Sequence, residues 1–515
     1  MTSAPQTGRP LWLSLAGLMA TVALGALDNF IVNPALPRIV GEFGGMASLS
    51  WVLTIFMLTS TITMPLYGKF SDVYGRRPLF VLSIVLFLAG SMLCGLATSM
   101  SGLVLFRAVQ GLGAGGTMVL AMTVMGDIVS PRDRPRYQGL FNATMTISSI
   151  AGPVVGGIVT SALGWRWVFF INLPIGLVAL AMIWGSLPRN LGERRAHSID
   201  YAGVAWLVVV TVCFLSLVQR AEHPETLFTL PTLALLAGMV AALVLLVRQE
   251  RRAAEPILAV HLLGNRVYRQ CLLVGGVIGL GYFGSTVYFP LYFQMVGGRS
   301  PAQSGFMLLP QLLVNMVTSI TVGQLVWRSG RYKPFLVAGI FMVGGAFVAM
   351  SAVTAAGLPD VAALACLALL GCGGGMSMPN LAVAMQNAIP REHLGAGTST
   401  LQFCNQLAAM AGVAVSGIVL VQGVRGWAGG VLPPGIITRL LSEGVRLLAH
   451  LDPVLHAAIV LIYRHAFTLT FAVSGVLCLI SAVMAIGVPG VSLHALRPAG
   501  EAPVPDAADA EPAVA

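Results

Sequence analysis

Long apolar stretches separated by short polar segments run along most of the chain. Each stretch holds roughly 20 residues and almost no charge, which is the length that an α-helix needs to cross the hydrocarbon core of a bilayer. The pattern predicts fourteen spans, in the ranges 11–33, 49–66, 79–97, 102–126, 139–162, 168–187, 201–218, 227–247, 271–294, 302–326, 334–353, 361–385, 395–421 and 466–488. The predicted fold class is an all-α polytopic membrane protein.

The composition agrees with this class. Hydrophobic residues make up 57% of the 515 residues and charged residues only 9%, against about 25% charged in a typical soluble domain. The seven cysteines all fall inside apolar stretches, and no pair has the spacing of zinc ligands or a place for an extracytoplasmic disulfide. We therefore expect no metal site and no cofactor.

The net charge of +10 is distributed in small basic groups between the apolar stretches. That distribution is typical of membrane topology and not of a nucleic-acid interface. With both termini on one side, 20 of the 29 Lys and Arg residues fall in segments on that side and 8 on the other. Because basic loops are retained in the cytoplasm, we expect a multi-pass protein of the cell (inner) membrane with both termini cytoplasmic.

The segment between the second and third spans concentrates charge that its flanks lack. Gly68 and Gly75 predict a tight hairpin, Asp72 can accept hydrogen bonds or pair with an arginine, and Arg76 and Arg77 are expected on the cytoplasmic side. The spacing of these residues resembles the signature loop of the major facilitator superfamily. The resemblance implies a cytoplasmic gate formed by Gly68, Asp72, Gly75, Arg76 and Arg77.

An internal repeat supports two bundles of six helices. The pattern Gly68-x6-Gly75-Arg76 returns as Gly323-x6-Gly330-Arg331, with Trp327 at the position of Asp72. Parallel repeats of this kind hold the substrate between two bundles. We predict a first bundle at 1–190, two inserted spans with linkers at 191–268, a second bundle at 269–490 that contains an extracytoplasmic segment at 423–465, and a disordered cytoplasmic tail at 491–515.

The extracytoplasmic segment 423–465 is long for a simple turn. Asp452-Pro453 is typical of a helix start, and the apolar run Val454–Ile462 predicts an amphipathic helix that rests on the membrane surface or caps the exit. The alternative is that the segment only covers the extracytoplasmic face of the protein.

Two ionisable residues lie well inside predicted spans, where a charge is a functional hypothesis by default. They are Asp28 in the first span and Arg107 in the fourth; Asp127 lies at the cytoplasmic end of the fourth. At 1.5 Å per residue, Asp28 and Arg107 lie about 8 and 9 Å from the outer ends of their spans, so they can meet. Burial favours a protonated carboxyl and a nearby arginine favours an ionised one. We therefore predict a proton-coupling site at this pair, with a static ion pair as the alternative.

Four motifs resemble those of the fourteen-span drug:proton antiporters. They are Leu27–Pro37 in the first span, Phe106–Gly113 in the fourth, Ala151–Gly157 in the fifth and Gly164–Pro174 at the sixth. The resemblance implies that Arg107 takes part in proton coupling and that packing at Gly152, Pro153, Gly156 and Gly157 separates leak from obligatory exchange. Arg166 and Asn172 are expected to pin a loop, with substrate contact as the alternative. Asn29 replaces the usual threonine after Asp28, a departure that could shift substrate preference.

The second half carries no carboxylate inside a predicted span but offers amides and aromatic rings. Amides at mid-depth serve either substrate contact or helix–helix contact. Five aromatic residues of the ninth span, Tyr282, Phe283, Tyr288, Tyr292 and Phe293, suit either a pocket for bulky apolar cations or an interfacial aromatic belt. The predicted substrate-binding residues are Asp28, Asn33, Tyr282, Phe283, Gln311, Asn315, Gln402, Asn405 and Gln406.

These features predict a proton-coupled multidrug efflux antiporter that exports amphipathic, cationic compounds by alternating access. Its partners are protons, such compounds and the lipid bilayer, and it is expected to act as a monomer. One alternative is export of a lipid or an endogenous metabolite, which a narrow substrate profile would reveal. Another is a non-transporting membrane sensor or scaffold, which the full set of gate and charge residues disfavours. An enzyme is not expected, since no nucleophile–base pair or metal cluster occurs.

Overall fold

The computed structural model describes residues 11–43, 49–188, 200–221, 229–253, 257–258, 260–428 and 453–490. Within these ranges every regular element is a helix. Fourteen helical segments are long and apolar enough to cross a membrane, which confirms the predicted fold class.

The first six spans lie between residues 11 and 186. The first combines α1 (Leu11–Ile31), a 3₁₀ turn (Asn33–Ala35) and α2 (Leu36–Phe43). The next four are single helices: α3 (Leu49–Tyr74), α4 (Arg76–Gly95), α5 (Met100–Ile128) and α6 (Arg134–Ala162). The sixth consists of α7 (Trp167–Phe170) and α8 (Asn172–Ser186).

Two inserted spans, α9 (Tyr201–Ala221) and α10 (Leu230–Arg252), precede the second half. The ninth span is built from α11 (Arg266–Ile278), a π-helical turn (Gly279–Phe283), α12 (Gly284–Thr286) and α13 (Phe289–Met295). It is followed by α14 (Pro301–Phe306), α15 (Leu309–Ser329), α16 (Lys333–Ala356), α17 (Asp360–Ala388), α18 (Leu394–Ala428) and α19 (Pro453–Ile486). Short 3₁₀ turns (Val260–Gly264 and Arg391–His393) precede α11 and α18.

The two halves meet through matching helices. α3 packs against α18, and α6 packs against α15. In the repeat α3 corresponds to α15, and α6, which follows Pro131-Arg132-Asp133, corresponds to α18, which follows Pro390-Arg391-Glu392. The two contacts are therefore related by the same internal symmetry. The division of the chain into four regions stays a prediction, and its tail, 491–515, lies outside the described residues.

The inserted pair packs on the seam between the halves. Leu207 of α9 and Leu246 of α10 share an apolar cluster with Phe403 of α18, and Leu66 of α3 borders it. At the opposite end of α9, Gln219 Nε2 donates a hydrogen bond to Thr54 Oγ1 of α3 at 3.0 Å. The inserted helices thus contact α3 and α18, one of the two helix pairs that join the halves.

Two sequence predictions are wrong at the level of the elements. Gly68 lies inside α3, which continues to Tyr74, so the predicted hairpin is reduced to a turn at Gly75. Gly75 has φ 95°, in a region that glycine adopts far more readily than other residues.

The second correction concerns the segment 423–465. α18 continues to Ala428, and Val454–Ile462 is the beginning of the 34-residue helix α19. The apolar run is therefore part of the last membrane helix and not a separate surface helix. Pro453 is the first residue of α19, as the helix-start pattern predicts; residues 429–452, which include Asp452, lie outside the described residues.

Candidate functional site

Asp28 lies near the end of α1 and is fully buried, with 0% of its surface exposed. Its carboxylate accepts three hydrogen bonds. Arg107 Nη1 donates to Oδ2 at 2.8 Å, while Gln110 Nε2 and Asn172 Nδ2 donate to Oδ1 at 2.9 and 2.7 Å. A buried charge is tolerated only when it is paired and hydrogen-bonded, and this carboxylate meets both conditions. We call these four residues the Asp28 cluster.

Arg107 is held on all sides by the first half. Its Nη1 also donates to Gln110 Oε1 at 2.7 Å, and its Nε donates to the carbonyl oxygen of Val52 in α3 at 3.2 Å. The guanidinium lies 4.0 Å from the centroid of the Phe56 ring, within the range of a cation–π contact. The ion pair therefore ties α1, α3 and α5 together.

Glycines let the surrounding helices come close enough to form the Asp28 cluster. A Cβ on Gly90 of α4 would overlap the backbone of Gln110, and a Cβ on Gly111 of α5 would overlap Phe56 and Thr59 of α3. Small residues at such crossings are the usual device for close packing of membrane helices. Gly90 on α4 and Gly111 on α5 thus allow the helix packing that brings Gln110 within hydrogen-bond distance of Asp28.

Sequence reasoning paired Asp28 with Arg107 but missed the two amides. Asn172 was expected to pin a loop, yet it begins α8 and donates to Asp28; that expectation is wrong. Arg166 does bind beside a loop, since its Nη2 donates to Oε1 of Glu42, near the end of α2, at 2.7 Å. A signal was present for Gln110, which follows Arg107 by three residues and so shares its helix face. Asn172 offered none, because its span is broken between α7 and α8.

The gate residues lie at the other end of the first half, which we call the loop end. Asp72 accepts hydrogen bonds from the backbone N–H groups of Gly395 and Ala396 at 3.2 and 2.8 Å. Both residues lie in the first turn of α18, where the helix dipole favours a negative charge. Arg76 bridges two acids: it contacts Asp72 and donates to Asp127 Oδ2 at 2.8 Å. Asp72 thus joins the halves, and Arg76 holds it in place.

The other gate residues have more local contacts. Arg77 Nη2 donates to the carbonyl oxygen of Trp184 in α8 at 2.7 Å and lies 4.9 Å from its ring centroid, so it anchors α4 within the first half. A Cβ on Gly68 would overlap Ser399 and Gly395. Gly68 therefore permits the close approach of α3 and α18 and does not form a turn.

The second half supplies the matching contact. Trp327 of α15 occupies the position that corresponds to Asp72, and its Nε1 donates to Asp133 Oδ1, beside the start of α6, at 2.7 Å. Arg134 reinforces this contact, because its Nη1 donates to the carbonyl oxygen of Gln386 at 3.0 Å and to Asn387 Oδ1 at 2.6 Å. Both symmetry-related contacts are formed, so this conformation is closed at the loop end.

The glycines of the fifth-span motif differ in their surroundings. A Cβ on Gly152 would lie 2.6 Å from Phe30 Cβ, and one on Gly156 would overlap the carbonyl of Ile31. Both glycines thus fit α6 against the end of α1, three residues or fewer from Asp28. Gly157 has no neighbour within 4 Å of such a Cβ. The prediction that Gly157 belongs to the packed face is therefore wrong. Pro153 is exposed inside the uninterrupted helix α6.

Two predicted substrate residues lie at the interface of the halves. Asn315 Oδ1 accepts hydrogen bonds from Asn142 Nδ2 at 2.8 Å and from Thr146 Oγ1 at 3.3 Å, both in α6. Asn142 also donates to Ser319 Oγ at 2.9 Å. Gln402 donates to the sulfur of Met122 in α5 at 2.6 Å. In this conformation Asn315 and Gln402 therefore make contacts between helices.

The remaining candidates are dispersed. Gln311 is buried and its Nε2 donates to the hydroxyl of Tyr282 at 3.4 Å, while Phe283 is 40% exposed. Asn405 approaches Gly275 of α11, and Gln406 is half-buried next to it on α18. Asn33 is exposed in the 3₁₀ turn beyond α1.

Most of the ninth-span aromatic residues belong to the core of the second half. Tyr292 and Phe293 are 5% and 0% exposed, and the Tyr292 ring packs edge-on against Phe467 and Phe471 at 5.5 and 5.6 Å. Tyr288 donates to the carbonyl oxygen of Val413 at 3.1 Å. Neither a cation pocket nor an interfacial belt describes the two buried rings, so both readings are wrong for them.

Known proteins resemble this chain in sequence. The family model described as Major Facilitator Superfamily matches residues 18–413. The multidrug transporter protein MdtP of Bacillus subtilis (strain 168) is 34% identical over 408 residues, which are 79% of this chain and 75% of that protein. Multidrug resistance protein 3 of the same organism is 30% identical over 403 residues, 78% of each chain.

Solved structures share the fold at low sequence identity. The human organic anion transporter MFSD10 (TETRAN) superposes with a TM-score of 0.65 at 16% identity, covering 92% of this chain and 99% of that one. The proton:xylose symporter XylE, bound to 6-bromo-6-deoxy-D-glucose, has a TM-score of 0.60 at 14% identity, covering 94% and 98%.

Proposed function

Because the chain belongs to the major facilitator superfamily, whose members transport solutes and are not enzymes, we propose that it exports amphipathic, cationic compounds in exchange for protons. Export of drug-like compounds is supported by the similarity to the two Bacillus subtilis proteins, which are named for multidrug transport and resistance. Proton coupling is supported by one observation above all. A fully buried carboxylate in α1 is paired with an equally buried arginine in α5.

The cycle that we propose starts from the observed conformation. We place the loop end in the cytoplasm because of the excess of basic residues on that side, and we propose that the conformation closed there is the outward-facing one. In it all three hydrogen-bond partners of Asp28 are donors, which is the arrangement that a carboxylate, an acceptor only, requires. A proton that enters from outside neutralises Asp28 and weakens its attraction to Arg107.

Loss of that attraction loosens α1 from α5 and favours opening of the loop end. Opening breaks the contacts of Asp72 with Gly395 and Ala396 and the contact of Trp327 with Asp133. The proton then leaves to the cytoplasm, and a cationic substrate enters between the halves. The restored Asp28 charge attracts that cation and favours the return to the outward-facing state.

The stoichiometry follows from the same site. Since Asp28 is the single acid well within a predicted span, we propose exchange of few protons per cycle. The halves contribute differently: the first carries the charge, and the second offers amides such as Asn315 that become available when the contacts with α6 separate.

Transport in proteoliposomes tests the proposal. A lipophilic cation, tetraphenylphosphonium, is supplied at the face that carries the loop end, and a pH gradient is imposed with the acidic compartment on the opposite face. We expect the gradient to drive the cation toward the acidic compartment, and we expect Asp28→Asn to abolish this gradient-driven transport. Equal transport with and without the gradient would contradict proton coupling.

A further inference from the structure

The two polar atoms of the Asn172 side chain differ in their hydrogen bonding. Its Nδ2 donates to Asp28 Oδ1 at 2.7 Å and to Ser91 Oγ at 3.0 Å. Its Oδ1, by contrast, is buried without a hydrogen-bond partner among the described residues, although the whole residue is 0% exposed. Buried polar atoms in native proteins are almost always paired, so this acceptor requires an explanation.

The surroundings of Asp28 show what the acceptor can do. A protonated carboxyl carries an O–H group that must donate, but every hydrogen-bond partner of the Asp28 oxygens among the described residues is itself a donor. A proton on Oδ1 would therefore face the N–H groups of Gln110 and Asn172. One of these two amides has to turn before the protonated state can be accommodated.

Gln110 is not free to turn. Its Oε1 accepts from Arg107 Nη1 at 2.7 Å and lies 3.7 Å from the sulfur of Cys94. Rotation of this amide would place its NH₂ group against the guanidinium, where donor would meet donor. Turning Asn172 breaks the bonds of its Nδ2 to Asp28 and Ser91 but none to its Oδ1, which has no partner among the described residues.

We propose that Asn172 is a positioning residue that reverses its amide when Asp28 takes up a proton. In the ionised state Nδ2 donates to Asp28, and in the protonated state Oδ1 accepts the carboxyl O–H. The Ser91 hydroxyl, which now donates to the carbonyl oxygen of Phe169 at 2.9 Å, turns to donate to Asn172 Oδ1. This inference rests on the proposed function, because it requires that Asp28 is the proton carrier.

The proton balance is simple. The proton comes from water on one side of the membrane, resides on Asp28 and leaves to water on the other side, while Asn172 neither gains nor loses one. The titratable groups that face Asp28 from the packed helices are Arg107 on α5 and the Cys94 thiol on α4. From α3 the cluster meets the Val52 carbonyl and the Phe56 ring, neither of which titrates.

Infrared difference spectroscopy tests the reversal on the unaltered protein. Acid-minus-neutral spectra are recorded with ordinary asparagine and with asparagine ¹³C-labelled at the side-chain carbonyl. We expect an isotope-sensitive band that moves to lower frequency on protonation, because Oδ1 passes from unbonded to hydrogen-bonded. The band should be absent in Asn172→Leu and in Asp28→Asn. Spectra without such a band in the unaltered protein would overturn the inference.

A pair of variants separates a switch from a fixed donor. Gln110→Leu removes a donor that stabilises the ionised carboxylate more than the protonated carboxyl, so the pH midpoint of substrate-induced proton release should rise by about one unit. Asn172→Leu removes a donor from one state and an acceptor from the other, so its midpoint should move less than half as far. Asn172→Ser introduces a hydroxyl that can donate or accept, so it should restore the transport rate that is lost in Asn172→Leu.

The outcomes are distinguishable from failure of the proposed function. A midpoint that moves as far in Asn172→Leu as in Gln110→Leu would overturn the switch and leave Asp28 as the proton carrier. Proton release that persists unchanged in Asp28→Asn would refute the carrier role, and the inference with it.

Discussion

At the scale of single residues, the buried pair of Asp28 and Arg107 carries opposite charges in a region where either one alone is unfavourable. The side chains are 0% and 1% exposed. Removal of one partner leaves the other charge buried without compensation, which costs about 3–5 kcal/mol, whereas removal of both is often close to neutral. Each charge of the pair is therefore needed to stabilise the other, and the pair is also the candidate site of proton coupling.

A double-mutant cycle tests this dependency. Arg107→Met should lower the free energy of unfolding in detergent by about 3 kcal/mol or more, and Asp28→Asn combined with Arg107→Met should recover most of the loss. The measurement is denaturant unfolding of the two single variants and the double variant. Additive effects of the two substitutions would show that the charges do not depend on each other.

Much of this site could be inferred from the sequence, because the depth of a residue within its span can be counted from the span end. Asp28 and Arg107 are isolated charges in apolar spans, and counting residues from the span ends placed them at the same level. Asn172 could not be identified in this way, because a neutral amide is not exceptional in a span. Its role depends on the break between α7 and α8, which no pattern of apolar positions indicates.

At the scale of elements, α6 and α1 are fitted together by two glycines next to the Asp28 cluster. Gly152 and Gly156 face Phe30 and Ile31 of α1, whereas Gly157 faces open space. The sequence motif predicts one packed face for all three glycines, because glycine content alone does not reveal which face of a helix is packed. The chain thereby provides a control one residue away from a sensitive position.

Substitution of these glycines by alanine tests the fit. Gly156→Ala forces α6 away from α1 and should destabilise the protein by about 1–3 kcal/mol, with a raised proton leak in proteoliposomes. Gly157→Ala should stay within about 0.5 kcal/mol of the unaltered protein without added leak. Equal behaviour of the two variants would refute the assignment of the packed face.

At the scale of the whole molecule, the two halves are joined at the loop end by contacts that obey the internal repeat. Asp72 of α3 meets the start of α18, and Trp327 of α15 meets Asp133 beside the start of α6. The repeat is visible in the sequence, where Trp327 at the position of Asp72 indicates that the gate charge belongs to the first half. The structure has a contact at both places because Asp133 supplies the acid from the opposite half.

Distance measurements between spin labels test whether Asp72 stabilises the closed loop end. Labels are placed on exposed residues of the two halves, Tyr74 and Ser329, after replacement of the native cysteines. Asp72→Asn weakens an interaction with a helix N-terminus worth about 0.3–2 kcal/mol, so the population with a longer distance should increase a few-fold or more.

Asp360→Asn is the matched control for this experiment. Asp360 pairs with Arg299 within the second half, at 2.5 Å, and its loss should leave the distance distribution unchanged. An unchanged distribution in Asp72→Asn, or the same change in both variants, would contradict a gate at Asp72.

The most direct measurement is proton release from the purified protein in weakly buffered detergent when tetraphenylphosphonium is added. The account predicts release by the unaltered protein and by Glu42→Gln, which removes a partly exposed acid of the same span, paired with Arg166. It predicts no release by Asp28→Asn. Release that is equal in Asp28→Asn and in the unaltered protein would contradict the claim that the proton resides on Asp28.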